Sequence, residues 1–81
     1  MWTKTLVTTF QGKAVPVQVW LNNTLDDKEE VRVQAMLNEF YLIESILFES
    51  RDAAYDFIAN YPASMAKAFV LREAYASGAV E

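Results

Sequence analysis

Cysteine and histidine are both missing from this chain, and each absence closes off a branch of chemistry. Without a thiol there is no disulfide framework, no thiolate zinc site, no iron–sulfur ligation and no cysteine nucleophile. Without an imidazole, the side chain whose ordinary pKa lies nearest neutrality is gone, so Ser45, Ser50, Ser64 and Ser77 lack their usual base. Ser64 and Lys67 form a formal Ser–Lys pair, but a solvated lysine titrates near ~10 and is a poor base. The two glycines, Gly12 and Gly78, stand in neither a Walker nor a dinucleotide-binding pattern. A chain this short rarely forms the cleft that paired carboxylates need for glycoside hydrolysis. An enzyme is therefore the weakest class, and neither a cofactor nor a catalytic residue is expected.

Long apolar runs are also lacking. None approaches the roughly 20 residues of a membrane span, and the opening MWTKTLVTTF has no hydrophobic stretch of signal-peptide length. The expectation is a soluble, cytoplasmic chain with no membrane partner, in which the sequon Asn22-Asn23-Thr24 is a chance match. With 53% hydrophobic residues over 81 positions, residues 1–81 make one small domain with one core.

Positive charge is scarce where negative charge is dense. From Asp26 to Asp56 nine acids (Asp26, Asp27, Glu29, Glu30, Glu39, Glu44, Glu49, Asp52, Asp56) face Lys28, Arg32 and Arg51, a balance of −6, while the rest of the chain sums to +2. Direct nucleic-acid binding needs a basic face and is not expected. A protein partner with a basic surface fits better.

What is present reads as an α+β domain. Residues 3–10 and 14–21 are rich in Thr, Val and aromatics around Gln11-Gly12-Lys13, which predicts a β-hairpin. A two-residue Gln11-Gly12 turn pairs Phe10 with Lys13, Thr8 with Val15 and Leu6 with Val17. It places Trp2, Leu6, Phe10, Val15, Val17, Val19 and Leu21 on one core-facing side. Pro16 has no N–H for a ladder, which suggests an edge strand or a bulge. Thr24 and Asp27 resemble a capping box, and the acids of TLDDKEE suit the positive end of a helix running over about 25–37. On that helix Asp26, Glu29 and Glu30 share a side, spaced for a divalent cation or an arginine, although no EF-hand pattern surrounds them and no metal is expected. Asn38 then serves as a left-handed cap, with Phe40–Phe48 as a strand. Ser50 caps a helix over RDAAYDFIANY that buries Ala54, Phe57, Ile58 and Tyr61. Pro62 bends the chain into a last helix over about 63–76, which Gly78 ends. The predicted order is β-β-α-β-α-α, a small antiparallel sheet against helices.

Three features stand out from that frame. Trp20 falls on the polar face of the hairpin, either covered by the terminal helices or exposed as an interface anchor. Asp52 and Asp56 put like charges one helical turn apart and, with Glu44 and Glu49, suggest an acidic ridge matched to a partner's arginines, with Tyr55 as a second anchor. The last helix carries Met65, Phe69, Val70, Leu71 and Tyr75 around most of its circumference, which suggests self-association. The leading expectation is an acidic protein-binding module that regulates or inhibits a larger basic protein. Small size and acidity are shared with phage-encoded inhibitors and regulatory adaptors, a likeness of composition only. The alternatives are a homo-oligomeric subunit assembled through the last helix, and a DNA mimic.

Overall fold

The computed structural model describes residues 3–23 and 29–80. The elements are β1 (Thr3–Phe10), β2 (Lys13–Asn23), β3 (Glu29–Leu37), β4 (Phe40–Phe48), α1 (Arg51–Ala59) and α2 (Ala63–Ala76). The four strands form one antiparallel sheet in the order β1-β2-β3-β4, so every strand pairs only with its neighbours in sequence. The class is α+β, with both helices on one face of the sheet.

Both hairpins over described turns close through two residues in the left-handed region, Gln11 (φ 52°) with Gly12 (φ 77°), and Asn38 (φ 50°) with Glu39 (φ 70°). Two positive φ values make a type I′ turn, whose twist matches that of the strands it joins. The first hairpin has the predicted register, Phe10 opposite Lys13, Thr8 opposite Val15 and Leu6 opposite Val17. In a two-residue hairpin the flanking pair exchanges hydrogen bonds and the pairs then alternate, so Pro16, opposite Val7, points its missing N–H away from β1. The β2–β3 ladder starts one residue later, at Val17–Ala35. Pro16 is therefore tolerated in an inner strand at the place where no β3 partner is yet required. The expectation that it marks an edge is corrected.

The larger correction is to residues 25–37. The part of that predicted helix within the described residues is strand β3, and the order is β-β-β-β-α-α. Val31, Val33, Ala35 and Leu37 are buried while Glu30, Arg32, Gln34 and Met36 alternate with them toward the other face. That is a period of two, and β-branched Val31 and Val33 favour it. The capping box of Thr24 and Asp27 and the core position of Trp2 lie outside the described residues. Asn38 does adopt a left-handed conformation, as a hairpin turn residue and not as a helix cap.

Beyond β3 the predicted punctuation holds. Strand Phe40–Phe48 is present. The Ser50 hydroxyl accepts from the Ala53 N–H at 3.1 Å and starts α1. Pro62 precedes α2, and past its end Gly78 has φ 83°. Ala79 N–H donates to Ala74 O at 3.0 Å and Gly78 N–H to Tyr75 O at 3.4 Å, the paired bonds of a Schellman motif.

One apolar cluster draws on all six elements: Phe10, Val15, Val17, Val19 and Leu21 of β2, Val31, Val33, Ala35 and Leu37 of β3, Leu42, Ala54, Ile58, Tyr61, Ala66, Phe69, Val70 and Ala74. Lys4, on the helix side of β1, donates to Ala59 O (3.1 Å) and Tyr61 O (3.0 Å), tying the first strand to an unpaired carbonyl at the end of α1 and to the loop that follows it. Among the described residues no helix is long and apolar enough to cross a membrane.

Candidate functional site

The outer face of α1 is set by what its inner face buries. Ala54 and Ile58 point into the core, so at helical spacing Asp52, Tyr55, Asp56 and Ala59 point out. These four side chains line one open groove of about 600 Å³. Asp52 sits in the first turn, where the helix N-terminus stabilises it. Asp56 is held by Asn60, whose Nδ2 donates to the Asp56 carbonyl at 2.9 Å and to its Oδ1 at 3.1 Å. The groove thus presents two carboxylates a turn apart with a tyrosine between them.

The other residues singled out from sequence do not join this group. Glu44 lies on the helix side of β4 and pairs with Arg72 of α2 at 2.8 Å. The predicted ridge is broken there, because the residue lies under α2 and not beside α1. Glu49 is exposed just ahead of Ser50, at the β4–α1 junction. Trp20 is half-buried on the face of the sheet that carries no helix, between Thr3 on β1 and Arg32 on β3. The helices do not cover it, and it cannot share one flat partner surface with Asp52 and Asp56, which lie on the opposite layer.

In α2, Phe69 and Val70 are each 1% exposed and belong to the chain's own core. The chain's own sheet covers this part of the helix. Met65, Leu71 and Tyr75 remain outside, and the Tyr75 ring meets Phe10 edge-on at 6.3 Å.

Two further acids of the middle segment are paired. Glu29 approaches Arg51 Nε at 3.4 Å, and Glu30 Oε1 accepts from Asn22 Nδ2 at 2.7 Å with Arg32 Nε 3.6 Å away. The Asn22 and Ser45 hydrogen bonds, helped by the Arg32 charge, outweigh desolvation and hold the Glu30 carboxyl below the usual range. Successive strand residues point to opposite faces, so Glu29 and Glu30 do not share the side that the helical reading assigned them. Asp26 lies outside the described residues, and among those described no three acidic side chains converge on a common point.

Sequence reasoning missed the uncovered face of the sheet. Val7, Pro16, Met36, Tyr41, Ile43 and Leu47 are exposed there, amid Gln18, Gln34 and the Asn22–Glu30–Arg32 cluster. The signal was the alternation in EEVRVQAML, hidden once that segment was read as a helix. Comparison with known protein families, curated proteins and solved structures finds no match to this chain.

Proposed function

We propose that the protein is a small acidic binding module that takes a basic segment of a larger partner protein along the outer face of α1, and so regulates or inhibits it. The observation that supports this reading is the groove lined by Asp52, Tyr55, Asp56 and Ala59. A guanidinium suits it well, since it hydrogen-bonds carboxylates bidentately and stacks on an aromatic ring. The module acts by occupying a surface and not by transforming a substrate, in keeping with a chain that has neither imidazole nor thiol.

The test is binding of arginine-containing peptides, compared with neutral peptides of equal length, by fluorescence anisotropy at low and high salt. The double variant Asp52→Lys, Asp56→Lys replaces two exposed side chains; it gives up the favourable Asp52 charge in the first turn, about 0.3–1 kcal/mol, but should stay folded while weakening binding at least about tenfold, equivalent to about 1.4 kcal/mol. Equal affinity of the double variant, or binding that ignores salt, refutes the reading.

A further inference from the structure

The strand order leaves β1 and β4 as the two edges of the sheet. Proteins ordinarily blunt such edges with lysine, proline, bulges or short strands. β4 has none of these; its one charge is Glu44, which points inward to the helix side and is neutralised there by Arg72. It is nine residues long, FYLIESILF, and pairs with β3 without a slip from Leu37–Phe40 to Glu29–Phe48. Four of its side chains are large, apolar and exposed: Phe40 44%, Tyr41 63%, Ile43 46% and Leu47 60%. β1 offers less, being threonine-rich with Val7 as its one large apolar side chain exposed to this degree, and with Lys4 turned inward onto Ala59 and Tyr61.

Parity fixes which backbone groups β4 presents. Leu37–Phe40 flanks a two-residue turn and exchanges hydrogen bonds, so Phe40, Leu42, Glu44, Ile46 and Phe48 bond to β3. The N–H and C=O groups of Tyr41, Ile43, Ser45 and Leu47 therefore point outward. No backbone hydrogen bond from elsewhere in the described residues reaches them. The helices approach β4 from one face only, through Arg72 on Glu44 and Phe57 on Phe48.

The strand is nearly palindromic in character about Glu44: Phe40 mirrors Phe48, Tyr41 mirrors Leu47 and Leu42 mirrors Ile46. In a two-fold antiparallel pair of identical strands each residue meets the other copy's mirror position, so this pattern sets apolar side chains opposite one another at three of the four off-axis positions, with Ile43 opposite Ser45 as the exception. We propose that two copies of this chain pair along β4 about a two-fold axis through Glu44, joining two sheets into one continuous sheet with all helices on the same face. In this register Tyr41 meets Leu47 and Ile43 meets Ser45 as hydrogen-bonded pairs, using the groups that point outward. Phe40 meets Phe48, Leu42 meets Ile46 and Glu44 meets Glu44 as the intervening pairs. Two carboxylates face to face would repel, but each is already held by its own Arg72 at 2.8 Å. A two-fold contact also closes on itself, whereas β1-to-β4 pairing would propagate.

This pairing is independent of the α1 groove, which lies outside the edge. Sedimentation equilibrium of the full chain at micromolar concentration should give twice the 9.2 kDa monomer mass. Ile43→Pro removes one outward donor without touching the β3 ladder, and Tyr41→Lys with Leu47→Lys places like charges opposite each other. Both should give the monomer mass with an unchanged far-ultraviolet dichroism spectrum. Val7→Pro on the other edge and Leu71→Lys on α2 should stay dimeric. The chain has no cysteine of its own, so Glu44→Cys adds one thiol at the axis, where intervening pairs bring Cα atoms within roughly 4.5 Å, a distance that a disulfide spans. Mild oxidation should convert it to a covalent dimer and leave Val7→Cys uncross-linked. A monomeric wild-type chain, a dimer that survives in the folded double-lysine variant, or loss of the dimer in Leu71→Lys overturns the proposal.

Discussion

Replacing Tyr61 by phenylalanine removes a single oxygen from the middle of the core. The residue is 1% exposed, its ring stands edge-on to Phe57 at 5.5 Å, and its hydroxyl is buried with no hydrogen-bond partner among the described residues. An unmet buried hydroxyl costs about 1–3 kcal/mol relative to its hydrated state. The substitution keeps the ring and its packing, and the Lys4 bond to the Tyr61 carbonyl does not involve the side chain. The variant should therefore be more stable by about 1 kcal/mol, which in a domain of this size raises the melting midpoint by about 4–8 °C.

The same oxygen sets a pH dependence. Burial pushes the Tyr61 hydroxyl from 10.0 up to about 12, the negative charge of Glu44 adds to this, and Arg72 opposes it. The unfolded chain releases this proton near pH 10.0 while the folded chain keeps it to about 12, so alkaline conditions draw the wild type toward the unfolded state. The contribution is intact below pH 10.0 and is lost across the window up to about 12. The variant has no such proton, so its advantage should widen over that interval. Thermal melts followed by circular dichroism at neutral pH and at steps through the alkaline window measure both effects. A variant that melts below the wild type at neutral pH, or a gap that does not change with pH, would falsify the account of an unpartnered hydroxyl.

Two further outcomes follow from the strands. Glu30 has a lowered folded pKa, so its contribution is present above its ordinary value of 4.5 and disappears as pH falls through the folded one. Glu30→Gln should be less stable than the wild type at neutral pH, and urea titrations should find the two converging in acid; a constant gap would count against the Asn22 and Ser45 bonds as its source. Glu39, a non-glycine residue at φ 70°, carries left-handed strain, and Glu39→Gly makes the Asn-Gly pair that type I′ turns favour. Chemical denaturation should show a gain of about 0.5–1 kcal/mol after the entropy cost of glycine, and a loss would mean that the Glu39 side chain stabilises the turn in some other way.

Much of the fold was legible because its punctuation is local. Gln11-Gly12 admits few conformations, Ser50 has an N–H three residues on to accept from, Pro62 disfavours continuation of a helix, and Gly78 suits a left-handed position; each acts within a turn of the chain. β3 was misread because two local signals compete in it. The acids before Val31 suit a helix start, and Val33, Met36, Leu37 and Phe40 satisfy a helical stripe, yet Val31, Val33, Ala35 and Leu37 satisfy a strand equally well. Pairing with β2 on one side and β4 on the other decides between them, and that is tertiary information. The candidate site was legible to the same extent: Asp52, Tyr55 and Asp56 converge because they share one helix, whereas Glu44 and Trp20 depend on which face of the sheet the helices choose.

The strand order also governs how the chain can assemble in time. Each described hairpin closes a two-residue loop, and all four strands pair with sequence neighbours, so the sheet can zip with little loop entropy lost at either of those steps. The helices follow the strands, and the contacts of α1 and the loop after it reach back to Lys4, 55 residues from Ala59 and 57 from Tyr61. During synthesis the sheet can therefore form while Val17, Val19, Val31 and Val33 still lack the cover of α1 and α2. A chain stalled at Glu49 would display that bare apolar face, and its lifetime in that state, more than the stability of the finished domain, would decide whether it aggregates.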